Sequence, residues 1–230
     1  QVAFESIDTL FEEDPKKAYE ELKKLHDSGE SQNAEVLWRL AKVCHILAAD
    51  MEGKNPKKKQ TIMEGRDYAV AAFAIAPDSF IVVKWAAVLT GSSTDYLGTK
   101  DKIEQGGKFK DYLDKALAMD ANEYSLLHMR GRYAYSVANL SWLERKAAAT
   151  FFAAPPEATF DEAIRDFELA NSLKPGWIEN VMFLARCHLA KKENALAVPY
   201  LKEVTDLKAE DDSEREIQAE AKQLVAKYGK

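Results

Sequence analysis

Residues that interrupt helices are scarce in this 230-residue chain, with Gly 10 and Pro 7. That is too few for the turn-rich strands of a sandwich or barrel. Alanine, the strongest helix former, is abundant instead. Cysteine is rarer still: Cys44 and Cys187 stand far apart, which excludes a disulfide framework and points to a reducing, cytosolic setting. No apolar run approaches a membrane span, and the most apolar stretch, residues 79–91, carries Lys84. Positive charge is the minority sign, Lys+Arg 32 against Asp+Glu 38, net −6. The field of the whole chain therefore repels nucleic acid and other polyanions, and an acidic partner has to meet a local basic patch. There is no GxSxG, no Gly-rich loop followed by Lys-Ser/Thr, no HExxH and no recognisable acid/base carboxylate pair. A non-enzymatic chain without a cofactor is the expectation. The chain starts at Gln1 rather than Met, so an anchor or address ahead of it would not be seen.

What is present is helical periodicity. Apolar residues recur every three or four positions through most of the chain. Asp14-Pro15 opens one helix and Ser28-Gly29 closes it. Further helices are expected at roughly 33–50, 59–76, 79–90, 101–119, 123–138, 141–152, 160–173, 177–191, 194–207 and 213–228. Asn55-Pro56, Pro77-Asp78, Gly91, Pro155-Pro156 and Lys174-Pro175-Gly176 punctuate them, and Gly106-Gly107 reads as a bend. No segment alternates long enough to be a strand.

Two ladders repeat along the chain. One runs Ala163, Phe167, Ala170, Pro175 and recurs as Gly65, Ala69, Ala72, Pro77 and as Phe109, Leu113, Ala116, Ala121. Ala197, Leu201, Val204 and Ala18, Leu22, Leu25 carry it partially. The other, on the preceding helix, runs Leu37, Leu40, Ala41, Cys44, then Val83, Ala86, Ala87, Thr90, then Leu127, Arg130, Gly131, Ala134, then Val181, Leu184, Ala185, His188. Small residues let the paired helices approach and the bulky ones fill the gap. The two ladders together resemble the tetratricopeptide repeat. The expected fold is all-α: a tetratricopeptide-like solenoid of antiparallel helix pairs with insertions and a C-terminal capping helix. A single domain over 1–230 is expected, with pairs at roughly 1–28, 33–77, 79–121, 123–175 and 177–207 and a cap at 213–228.

The insertion narrows the reading. Leu140, Ser141, Trp142, Leu143, Glu144, Arg145 and Lys146, with the segment around Leu37-Trp38-Arg39-Leu40-Ala41, resemble the regulator of microtubule dynamics family over about Val2 to Leu207. The resemblance implies a microtubule-associated protein of the cytoskeleton, acting at spindle microtubules and poles in chromosome segregation. Some relatives carry an N-terminal membrane anchor and work at mitochondria or organelle contacts, and a related domain binds phospholipid. The alternatives are thus phospholipid binding or transfer at a contact site, and a scaffold for acidic peptide motifs. The absence of an anchor in the chain favours the cytoskeletal branch.

Candidate binding residues come from the repeat register. In tetratricopeptide solenoids the first helix of each pair lines the concave surface. The residue after the small slot is Lys42, Val88, Arg132 and Arg186 in successive pairs. One turn earlier stand Trp38, Lys84, His128 and Met182, with Tyr135 one turn beyond Arg132. A groove lined by Lys42, Lys84, Arg132, Arg186, Trp38, His128 and Tyr135 suits the acidic tails of tubulin or an anionic phospholipid headgroup, because guanidinium groups hold carboxylates and phosphates through paired hydrogen bonds. A basic loop of Lys54, Lys57, Lys58 and Lys59 is a second contact. Cys44-His45 and Cys187-His188 do not point to a metal, because neighbours on a helix diverge by about 100°. Trp142, Phe151 and Phe152 are expected to fold back over a gap between repeats. Phe73, Tyr112, Phe167 and Phe183 are expected in the core.

Overall fold

The computed structural model describes residues 3–152 and 154–229. Within them lie twelve α-helices: α1 (Glu5–Glu13), α2 (Pro15–Leu25), α3 (Ala34–Ala49), α4 (Pro56–Ile75), α5 (Phe80–Ser93), α6 (Thr99–Met119), α7 (Tyr124–Ala138), α8 (Trp142–Phe151), α9 (Phe160–Leu173), α10 (Ile178–Ala190), α11 (Asn194–Asp206) and α12 (Asp212–Tyr228). No strand occurs among the described residues. The helices are started by local chemistry. Asp14, Asn33, Asn55 and Asp211 each accept a backbone N–H at a helix N-terminus. Ser141–Glu144 and Thr159–Glu162 form reciprocal capping boxes.

The chain packs as two compact units, Gln1–Met119 and Asp120–Lys230. In the first, each helix packs on the next from α1 to α6, and α3 also touches α5. In the second, α7 packs on α9, α9 on α10, α10 on α11 and α11 on α12, with α10 reaching both α7 and α12. The ladders supply these contacts. Ala18, Leu22, Ala69, Ala72, Leu113, Ala116, Ala163, Phe167, Ala170, Ala197, Leu201 and Val204 are all fully buried, and so are Leu40, Ala41, Cys44, Val83, Ala86, Ala87, Val181, Leu184 and Ala185. At the α7–α9 crossing the helices meet so closely that a Cβ on Gly131 would lie 2.7 Å from Phe167 Cε1.

Three expectations are corrected. Gly91 does not end a helix but sits inside α5, and it is glycine there because the Phe109 ring of α6 lies 2.6 Å from where a Cβ would stand. Gly106-Gly107 is no bend; both residues lie in the unbroken α6. The helix opened at Pro15 keeps helical backbone angles through Ser28 and breaks at Gly29, where φ is +121°, as the sequence indicated. Helix α8 does not fold its aromatic residues inward. Trp142 is 71% exposed, Leu143 70% and Phe151 50%. The guanidinium of Arg145 donates instead to the carbonyl oxygens of Val137, Ala138 and Leu140 at 3.0–3.2 Å, capping the end of α7. With this hold Ala148 is buried, and Trp142, Leu143 and Phe151 stay exposed.

Candidate functional site

In the second unit, α7 carries His128, Arg132 and Tyr135, and α10 carries Glu179, Phe183 and Arg186. Both triplets have the spacing i, i+4, i+7, which places each on one helix face. The two faces meet. Phe183 packs in the core cluster with Phe167, and the two rings stack at 5.3 Å. Arg132 Cζ lies 5.3 Å and Arg186 Cζ 5.0 Å from the Phe183 ring centroid, so two guanidinium groups share one ring. Tyr135 meets the same ring edge-on at 5.4 Å.

Each guanidinium has a resident carboxylate. Arg132 Nη1 is 3.1 Å from Glu179 Oε1. Arg186 Nη2 donates to Glu220 Oε2 of α12 at 2.7 Å. The Glu179 carboxyl is held below its ordinary range, chiefly by the His128 imidazole, with burial opposing and the Arg132 charge reinforcing. Burial raises the Tyr135 phenol, and the nearby Arg186 charge opposes that shift.

His128 is interior rather than groove-lining, at 3% exposure, and its ring lies 4.2 Å from Trp177. Asn180 Nδ2 donates to the Phe167 carbonyl (2.9 Å), which leaves Oδ1 to accept from His128 Nδ1 (2.9 Å). His128 Nε2 then points toward Glu179 at 3.8 Å with no hydrogen-bond partner.

In the first unit Lys42 and Lys84 are half-buried on α3 and α5. The Lys42 ammonium sits 4.3 Å from the Phe11 ring centroid. Burial lowers its pKa, Asp8 and Glu12 oppose the shift, and Arg39 and Lys84 reinforce it. Trp38 is interior, 8% exposed. Its Nε1 donates to Glu35, and its ring lies under Arg39, which forks onto Asp8 at 2.6 and 2.9 Å and so ties α1 to α3. This latch was not visible in the sequence, although Glu35 and Arg39 stand one turn apart.

The lysine cluster is not a loop. Lys54 lies in the turn, but Lys57, Lys58 and Lys59 form the first turn of α4, because Asn55 caps it and Pro56 starts it. Lys58 Nζ donates to the Met51 carbonyl at 3.1 Å. Cations are unfavourable at that end of a helix. Beside them a cleft of about 310 Å³ is lined by His45, Lys58, Asp95 and Tyr96 among others.

The two Cys-His pairs occupy different units. Burial pushes each thiol up to about 12. His188 Nδ1 is engaged by Glu193 at 2.8 Å.

A family model described as "Regulator of microtubule dynamics protein 1-3" matches residues 3–229. "Regulator of microtubule dynamics protein 1" of Caenorhabditis elegans is 42% identical over 226 residues, 98% of this chain and 99% of that protein. Vertebrate relatives of the same name are longer, and the chain spans under two thirds of their length. Among solved structures, a mutant of MamA superposes with TM-score 0.60 at 15% identity, covering 88% of this chain and 92% of that one. YrrB, described as a TPR protein with an unusual peptide-binding site, gives 0.57 at 13%, covering 94% and 88%. At such identities these two speak for the fold alone, a tetratricopeptide-like one. The chain belongs to the regulator of microtubule dynamics family.

Proposed function

We propose that the chain is a non-enzymatic microtubule-binding module that holds the acidic tails of tubulin on basic side chains of the first helices of its pairs. Lys42 and Lys84 act in the first unit, and Arg132 and Arg186 in the second. Lys54, Lys57, Lys58 and Lys59 add long-range attraction at the start of α4. The spindle is the corresponding place of action. One observation carries the reading: Arg132 and Arg186, on neighbouring helix faces, are both propped on Phe183. Side chains braced in this way lose little freedom when they take a carboxylate. The relatives named for microtubule dynamics supply the partner class.

Co-sedimentation with microtubules tests it. Replacing Lys42, Arg132 and Arg186 with Gln leaves helicity intact and removes most of the bound fraction, and wild-type binding falls steeply with added salt. Unchanged binding by the triple variant overturns the reading, as does undiminished binding to microtubules stripped of their tails. Capture by anionic vesicles in place of microtubules would put phospholipid in the partner's position.

A further inference from the structure

The second unit seats two of its own carboxylates on the guanidinium pair, and the two differ in their setting. Glu179 stands in the first turn of α10, half-buried, 3.1 Å from Arg132 Nη1. Glu220 is on α12, more open (46% side-chain exposure), and accepts from Arg186 Nη2 at 2.7 Å. Helix α12 is fixed by Ile217, Ala221, Leu224 and Val225 against the core of α10 and α11. Glu220 can therefore leave Arg186 by a side-chain rotation, with no movement of the helix.

Arg186 has a second support besides Glu220. Its guanidinium lies against Phe183, 5.0 Å from the ring centroid, and Arg132 flanks the same ring. The two guanidinium carbons are thus separated by at most the sum of their distances to one centroid, a span that neighbouring acidic residues of an extended peptide can bridge.

We propose that Arg132, Phe183 and Arg186 form a two-pronged carboxylate seat for an acidic peptide segment, with Glu220 as a built-in placeholder that the peptide's carboxylate displaces. This deepens the microtubule reading and rests on it for the identity of the natural partner, but the seat itself is defined by carboxylate chemistry. The resident pair is partly exposed, so its exchange is inexpensive, within the range of surface ion pairs. Glu179 stays on Arg132 Nη1, and the other N–H groups of that half-exposed guanidinium, with the vacated fork at Arg186, take the incoming carboxylates. The seat prefers a peptide whose carboxylates are grouped rather than one with a single terminal charge.

The test is fluorescence anisotropy with the full chain and a labelled oligoglutamate peptide at low ionic strength. Glu220→Gln tightens binding about two- to five-fold, the factor that corresponds to a surface pair. Asp206→Asn, which removes the same charge from the end of α11, gives a clearly smaller gain. In an Arg186→Gln background the Glu220→Gln gain disappears. Equal gains from Glu220→Gln and Asp206→Asn would mean bulk charge alone and overturn the proposal, and so would a Glu220 effect that survives the loss of Arg186. The peptide assay contains no tubulin, so the two readings fail separately. A Glu220-dependent peptide site without a parallel change in microtubule co-sedimentation upholds the seat and overturns the microtubule reading. Microtubule binding with a peptide affinity blind to Glu220 does the reverse.

Discussion

At the scale of single residues, the crossings of paired helices are held by what is missing from a side chain. Gly131 faces the Phe167 ring so closely that an added methyl group would sit 2.7 Å from it, and that ring is fully buried. Gly107, also in a helix interior, has nothing within 4 Å. The two glycines should therefore respond oppositely to alanine. Gly131→Ala overpacks the α7–α9 contact and costs about 1–3 kcal/mol, less the helical preference it gains. Gly107→Ala stabilises by about 0.5–1 kcal/mol, because it limits the unfolded chain without meeting anything in the folded one. Urea unfolding of the two variants, with equal slopes, checks both signs. The ladder positions were legible in the sequence because spacing alone defines them. Gly91 was not, since a glycine that admits a neighbouring ring and a glycine that ends a helix are the same letter.

At the scale of elements, α8 stands apart. Its large apolar residues do not share one face: Trp142 and Phe151, nine residues apart, stand on opposite sides of the wheel, and Ala148 is the buried position. Sequence does not show which side turns inward, and Arg145 decides it by filling three carbonyl acceptors at the end of α7. Removal of that anchor is the informative change. Arg145→Ala should speed amide hydrogen exchange through α8 and the last turn of α7 while leaving exchange in α10 and α11 unchanged. Trp142→Ser, at an exposed position, should change the unfolding free energy by less than about 0.5 kcal/mol. The candidate site has the same mixture of legible and hidden parts. The i, i+4, i+7 triplets on α7 and α10 can be read from the chain, but Glu220 as the partner of Arg186 cannot, for it comes from a helix 34 residues on. Trp38 and His128 were expected on an open surface, and the structure turns both into helix contacts, where a large ring gains more by burial than by exposure.

At the scale of the whole molecule, two depressed groups act in the same direction on acidification. His45 is pushed below its ordinary 6.5 by burial. Its neutral form is favoured in the folded chain, so the stability it adds is present above 6.5 and is lost as pH falls through its lowered folded value. Glu179 is held below its ordinary 4.5, and its contribution is present above that value and is lost as pH falls further. The melting temperature should therefore decline in two stages on acidification, one beginning near 6.5 and one below 4.5. His45→Gln should flatten the first stage and Glu179→Gln the second, as thermal melts across this range would register. The net charge of −6 foretells neither effect. It averages over an acidic C-terminal helix and the ammonium groups gathered near the start of α4.

That start of α4 has a thermodynamic consequence. Lys57, Lys58 and Lys59 crowd like charges onto the end of a helix that already carries a positive partial charge from its aligned peptide dipoles. The first turn is thus under electrostatic tension in the isolated protein. Any anion that settles there relieves the tension as it binds, so occupancy adds to the stability of α4.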